Sequence, residues 1–325
     1  MSRPESRAAR APRTMSRRRA LALGGTVGLG TLVGGCGVVG VVSTPDAPSP
    51  PFAPVDLRVG DVRVRSVRTG AVAVKRAHRQ LFGPEATRLA SIALDPRWTP
   101  WLPITAWLVE HPERTLLVDA GETPRVAEPG YFACDGATQF VYERLLRFDV
   151  RRGLAAELAA LGVDAADVDA VVMTHLHSDH AGGLDEVPGA TVLASADELA
   201  FPPPGAVRCR WPQALAPVAL GYADGPFGAF DASAALVADG TVRAVPTPGH
   251  TRGHQSVLVS DGDRTVCLAG DASFDLGQVL AGTPAGICAD VGLARRTLAT
   301  LREQVADGRT VYLASHDPLP QVASS

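Results

Sequence analysis

Three histidines and an aspartate fall within six residues of this chain, in Thr174-His175-Leu176-His177-Ser178-Asp179-His180, directly after the apolar run Ala170-Val171-Val172-Met173. The run reads as a short buried strand, and the turn that ends it is rich in metal-ligand side chains. Alternate residues of an extended segment point the same way, so His175 and His177 can grip one ion. Asp179 and His180 follow where the chain turns and can face a second ion. Ala181-Gly182-Gly183 then lets backbone pass close by and starts a helix.

Such a cluster needs partners from elsewhere, and four other segments offer them. Thr247-Pro248-Gly249-His250 ends one apolar run and Gly253-His254-Gln255-Ser256 begins the next. Leu268-Ala269-Gly270-Asp271 and Ala314-Ser315-His316-Asp317 end two more. All lie at strand ends, where active-site loops gather in layered folds. Ligands spread from position 175 to 316 require one domain.

The rest of the body alternates short strands with helices. Residues 104–110 and 115–118 bracket a polar turn and read as a hairpin. Helical spacing predicts helices over 154–161, 196–200 and 293–305, and apolar runs predict strands over 170–173, 191–194, 242–245, 256–259, 265–268 and 310–313. This pattern predicts a layered α/β or α+β domain with mixed sheets. A composition of 46% hydrophobic and 20% charged residues excludes a disordered chain.

The net charge of −3 conceals two regions. Residues 1–35 hold seven Arg and one Glu, whereas residues 36–325 hold 24 basic and 33 acidic residues, a balance of −9. An acidic body is a poor partner for phosphate backbones, so nucleic acid is excluded as a substrate class and a small molecule is expected. Ser16-Arg17-Arg18-Arg19 precedes an uncharged stretch, 20–42, that contains eight Gly. Residues 1–42 therefore read as an export signal of twin-arginine type, with an uncleaved membrane anchor as the competing reading. Val33-Gly34-Gly35-Cys36 resembles a lipobox, which predicts lipid anchoring through Cys36 and an extracytoplasmic protein, secreted or membrane-anchored. Residues 43–54, with five Pro, read as a stiff tether, and the folded domain is expected over 55–325. Cys134, Cys209, Cys267 and Cys288 can pair outside the cytoplasm, although Cys267, inside an apolar run, reads as a core thiol. His78 and His111 lie in polar, turn-like contexts that predict solvated side chains.

Taken in order, THLHSDHAGGL, TPGHTRGHQS, LAGDAS and ASHDP resemble the metallo-β-lactamase superfamily, and most closely its dinuclear N-acyl-homoserine lactonase-like branch. The resemblance spans roughly residues 60–320. It implies a four-layer αββα sandwich, two mixed β-sheets flanked by helices. It implies two divalent ions, zinc by default with Fe, Mn or Co as alternatives. His175, His177 and His250 fall on the first ion and Asp179, His180 and His316 on the second, with Asp271 bridging them together with a hydroxide that attacks a lactone or related ester. Asp179 and Asp271 thereby become the catalytic carboxylates. Asp119, in Leu117-Val118-Asp119-Ala120-Gly121, matches a recurrent acidic position and is expected behind the ligands, orienting one of the histidines. His254 is expected to be structural.

One position departs from that branch, which commonly has Tyr three residues after the bridging Asp. Here Phe274 keeps the ring and loses the hydroxyl donor. Phe274 and Trp101 are the expected substrate-pocket residues, with Trp98, Trp107, Phe201 and Trp211 as further aromatics nearby in sequence. Competing activities on the same scaffold are thioesterase, β-lactamase and iron-dependent oxidoreductase, and a non-catalytic binding domain is the remaining class.

Overall fold

The computed structural model describes residues 47–134 and 136–320. The segments read as export signal and lipobox, including Cys36, lie outside the described residues. Among the described residues no helix is long and apolar enough to cross a membrane.

Among the described residues, thirteen strands and eight α-helices follow in the order β1 (Asp56–Val59), β2 (Val62–Val74), α1 (Arg76–Arg79), α2 (Arg88–Leu94), β3 (Leu102–His111), β4 (Arg114–Val118), α3 (Gly136–Leu145), β5 (Leu146–Asp149), α4 (Leu154–Ala160), β6 (Ala170–Val172), α5 (Ser178–Ala181), β7 (Thr191–Ser195), α6 (Ala196–Ala200), β8 (Val218–Leu220), β9 (Ala234–Ala235), β10 (Val242–Pro246), β11 (Gln255–Ser260), β12 (Thr265–Gly270), α7 (Leu276–Ala281), α8 (Val291–Val305) and β13 (Thr310–Ala314). One sheet runs β1-β2-β3-β4-β6-β7-β8 with β5 beside β2, and the other runs β13-β12-β11-β10-β9. Both are mixed: β4-β6-β7-β8 are parallel in the first, and β12-β13 in the second.

Side-chain alternation makes the layers. In β6, Ala170 and Val172 face a core shared with Val242, Val257 and Leu268 of the second sheet. Val171 faces the opposite way, onto Leu154 and Leu158 of α4. In β12, Val266 and Leu268 join the inter-sheet core, while Cys267 and Ala269 pack against Leu298 and Leu301 of α8. A period of two exposes each strand to two apolar layers, which is why these strands read as continuous apolar runs rather than half-polar ones. The result is the expected αββα sandwich, and Cys267 is buried as expected.

Residues 47–54 touch the body at two points: Trp101 Nε1 donates to the Ala47 carbonyl and the Ser49 amide donates to Asp149. The first contact takes Trp101 away from its expected place in the substrate pocket. Cys134 and Cys209 form a disulfide, leaving Cys267 and Cys288 as buried free thiols.

Candidate metal centre

The loops that end β4, β6, β10, β12 and β13 converge at one edge of the two sheets. Each is held by tight backbone contacts. Gly249 has φ 141°, and a Cβ there would lie 2.4 Å from the Ala294 Cα at the start of α8, so only glycine lets the His250 loop dock on that helix. Gly270 has φ 55°, and a Cβ would lie 2.7 Å from the Thr174 side chain and 2.8 Å from His254 Nε2. The close approach it permits brings Asp271 against the histidine turn.

Three ring nitrogens meet there: His175 Nε2 lies 2.9 Å and His250 Nε2 3.0 Å from His177 Nδ1. None of these pairs has a proton to share. The Ile287 carbonyl takes the Nδ1–H of His250 at 3.2 Å, and the Pro204 carbonyl takes a hydrogen bond from His177. Thr174 Oγ1 donates to Asp119 Oδ2 and so accepts from His175 Nδ1 at 3.0 Å. With the outer nitrogens protonated, all three inner nitrogens present lone pairs to one another.

His180 and His316 repeat the pattern around the carboxylates. His180 Nδ1 donates to Asp119 Oδ2 at 2.8 Å, and His316 Nδ1 donates to the Pro103 carbonyl at 2.7 Å. Their Nε2 atoms each lie 3.4 Å from Asp271 Oδ1, and His316 Nε2 lies 3.4 Å from Asp179 Oδ2. Asp271 Oδ2 lies 3.5 Å from His250 Nε2, so the carboxylate spans both groups. His180 Nε2 and Asp271 Oδ1 are buried with no hydrogen-bond partner.

Three inward lone pairs, two further ring nitrogens turned toward a pair of buried carboxylates, and the lack of any partner for His180 Nε2 and Asp271 Oδ1 form a set that fits divalent cations. The electrostatics agree. Burial, reinforced by the neighbouring imidazoles, holds His175 well below the usual histidine range. Burial also opposes a charge on His316, but Asp271 and Asp179 overcome it and lift the ring to about 10. The cluster thus draws positive charge to itself. Ligand atoms close enough to share an ion form three sets: His175, His177 and His250; His175, His180 and Asp271; and Asp179, His180 and His316.

All seven predicted ligand positions are therefore brought together, and Asp119 sits behind them as the acceptor for His180. His254 is not among the sets. It donates from Nδ1 to the Thr247 carbonyl at 3.1 Å and accepts the Asp271 amide at Nε2, 3.0 Å, fixing the backbone of the carboxylate between the two groups.

The centre floors a cavity of about 130 Å³. Val72, Val74, Val141, Leu146 and Ile287 form apolar walls, and Phe274 is in the lining as expected, stacked on His316 with centroids 5.5 Å apart. Trp101 does not line it. His78, expected in solvent, is buried in the cavity wall beside Phe274, because α1 is pinned between the loop after α2, through the Arg76 amide on the Arg97 carbonyl, and the loop after α7, through the Ile287 amide on the His78 carbonyl. Tyr142 and Glu198 also escaped the sequence reading. Tyr142 O–H donates to the Gly205 carbonyl at 3.0 Å on the cavity wall. Glu198 accepts from the Leu176 amide, Thr251 Oγ1 and the Gly253 amide at 2.9, 2.7 and 3.0 Å, tying the two principal histidine loops together.

Known proteins share this arrangement of chain. Residues 99–316 match the Metallo-beta-lactamase superfamily. The N-acyl homoserine lactonase AttM of Agrobacterium fabrum is 31% identical over 236 residues, covering 67% of this chain and 82% of that protein. A solved N-acyl homoserine lactone hydrolase, with the product N-hexanoyl-L-homoserine at its catalytic metal centre, superposes with a TM-score of 0.61 at 20% identity, covering 78% of this chain and 92% of the other. AidC, a dizinc quorum-quenching lactonase, gives a TM-score of 0.55 at 16% identity over 83% and 92% of the two chains. With residues 99–316 matched to it, and a relative 31% identical over 67% of the chain, this chain belongs to the metallo-β-lactamase superfamily.

Proposed function

We propose that this protein is a dinuclear metal-dependent hydrolase that opens lactones or closely related esters carrying an apolar chain. The observation that carries the reading is the convergence of seven ligand-type side chains, five of them (His177, Asp179, His250, Asp271 and His316) lining a cavity whose other walls are largely apolar. His175, His177 and His250 would hold one ion, Asp179, His180 and His316 the other, and Asp271 both. Zinc suits the nitrogen-rich set, and the dizinc relative supports it. When bound, such ions supply Lewis acidity toward an ester carbonyl and bring the pKa of water toward neutrality.

The chain's own residues do the rest. Val72, Val74, Val141, Leu146 and Ile287 seat the apolar part of the substrate and exclude water from the carboxylates. Phe274 stacks on His316 and contributes its ring to the cavity lining. Asp119, the Pro103 and Ile287 carbonyls and Thr174 hold each ligand ring in one tautomer, so the ring does not reorganise as charge develops. The names of the curated relatives favour an N-acyl-homoserine lactone within this class.

We further propose that the protein works outside the cytoplasm. The Arg-rich leader and the Cys36 context support export, and the Cys134–Cys209 disulfide suits an oxidising compartment.

A panel of acyl-homoserine lactones, simple γ- and δ-lactones, aryl esters and nitrocefin, assayed on zinc-loaded protein, tests the reading. Turnover of lactones above the other classes, with about two zinc ions per chain, is expected from a dinuclear centre. His177→Ala is expected to abolish turnover, and retained activity in that variant overturns the assignment.

A further inference from the structure

Beyond the metal ligands, two aromatic residues of the cavity lining have no hydrogen bond to offer a substrate. The Tyr142 hydroxyl is engaged, donating to the Gly205 carbonyl and accepting from the Ser178 amide at 3.2 Å. Phe274, which lines the cavity beside His316, has no polar side-chain atom. His78 is different. It is 9% exposed, shares the cavity lining with Asp271, Phe274 and His316, and its Nδ1 is buried without a partner. Neither of its ring nitrogens pairs with another described residue. Nδ1 is closed off from the cavity, so the ring nitrogen open to a ligand there is Nε2, whose N–H has no partner among the described residues.

Its backbone is held in place for that task. The His78 amide donates to the Lys75 carbonyl at 2.9 Å, and the His78 carbonyl accepts the Ile287 amide at 3.0 Å. Ile287 in turn receives His250 Nδ1, so the loop that orients one metal ligand also carries His78. The imidazole stands edge-on to Phe274, with centroids 6.3 Å apart and planes at 83°, while Phe274 lies stacked on His316. Burial pushes the ring down to about 4, which leaves it neutral at pH 7 with one N–H to donate.

We propose that His78 is the substrate-contacting hydrogen-bond donor of this site, its imidazole N–H engaging an oxygen of the reacting ester and stabilising the negative charge that gathers there. The inference rests on the ester-hydrolase reading above. It assigns to α1 the donor that Phe274 lacks, and it requires no proton transfer, only a bond that strengthens as the carbonyl carbon is attacked.

Two measurements on the zinc-loaded full chain test it. Removing one donor from developing charge costs about 10²-fold in rate. His78→Phe is therefore expected to lower kcat on a turned-over lactone by at least about tenfold, with KM little changed and zinc content intact. Introducing Phe274→Tyr into that variant is expected to recover part of the loss. In the unmutated protein, the His78 imidazole ¹⁵N resonances are expected to move on addition of the ring-opened N-acyl-homoserine, a readout that does not depend on a variant's folding. A kcat within twofold of the parent, a loss accounted for by missing zinc, or unmoved His78 resonances overturns the inference. Absence of any lactone turnover by the unmutated protein overturns the parent reading instead, so the two failures are distinguishable.

Discussion

Asp119 accepts the Nδ1–H of His180 at 2.8 Å from a backbone held at φ 64°, in the left-handed region that Asp tolerates better than most side chains. The same carboxylate accepts the Thr174 amide and hydroxyl at 2.7 and 2.9 Å, and through Thr174 it also fixes His175. One buried group therefore orients a ring in each half of the centre. Asp119→Asn keeps the shape but replaces one acceptor oxygen by a donor, so at least one of these bonds is lost. Zinc affinity is expected to fall about 10–100-fold, as for other residues that support ligand histidines. Competition with a chromophoric chelator measures it, and unchanged affinity counts against the role.

Glu198 offers a second test. Its carboxylate receives three donors from the two histidine loops, and the residue is buried. Glu198→Gln retains one carbonyl oxygen, which can keep either the Leu176 contact or the Thr251 and Gly253 pair, while the new NH₂ group opposes the remaining donors. A destabilisation of about 1–3 kcal/mol is expected from the unsatisfied groups. Denaturant unfolding of the zinc-free protein reads it without interference from the ions, and a midpoint equal to that of the parent refutes the tie.

The seven converging positions were legible because each follows an apolar run at a strand end, where a period of two and a polar stop leave little ambiguity. The strands and helices predicted between 104 and 313 appear within one to three residues of their expected limits. The longest strand, β2, was not read. Its core-facing Val62 and Val64 alternate with Arg63 and Arg65, which pair with Asp56 and Glu110 on neighbouring strands, and charges balanced across strands look like a surface turn in sequence. His78 escaped for a similar reason: Lys75, Arg76 and Arg79 surround it, and only the packing of α1 shows that its ring turns inward. Glu198 lies in a correctly expected helix, but Asp197 beside it carries the same charge, and nothing local separates the exposed carboxylate from the buried one.

Phe274 lies stacked on His316 in the cavity lining, so a hydroxyl added to its ring would put a hydrogen-bond donor in that wall beside His316. Phe274→Tyr is expected to raise kcat/KM on a lactone substrate. The increase in the unmutated background is expected to be modest, about tenfold or less, since one positioned donor contributes up to about 10²–10³ and His78 already supplies one. Unchanged or lower kcat/KM across several lactones counts against a donor role at this position.

The Cys134–Cys209 disulfide joins segments 75 residues apart in sequence, and both belong to the cavity wall. Cys134 precedes α3, which contributes Thr138, Val141 and Tyr142, and Cys209 follows the turn that contributes Pro204 and Gly205. Closing a loop of this length stabilises the folded chain by about 4 kcal/mol in the chain-entropy account. Replacing both cysteines by serine avoids thiol reductants, which would compete for zinc. The double variant is expected to melt on the order of 10 °C lower, given the dependence of Tm on stability for a domain of this size. Because the link fixes the wall rather than the metal ligands, KM is expected to rise more than kcat falls. A calorimetric scan and a Michaelis curve on the same preparation separate the two effects. An unchanged Tm refutes the stabilising role, and a fall in kcat with KM constant shows that the bridge supports the centre rather than the wall.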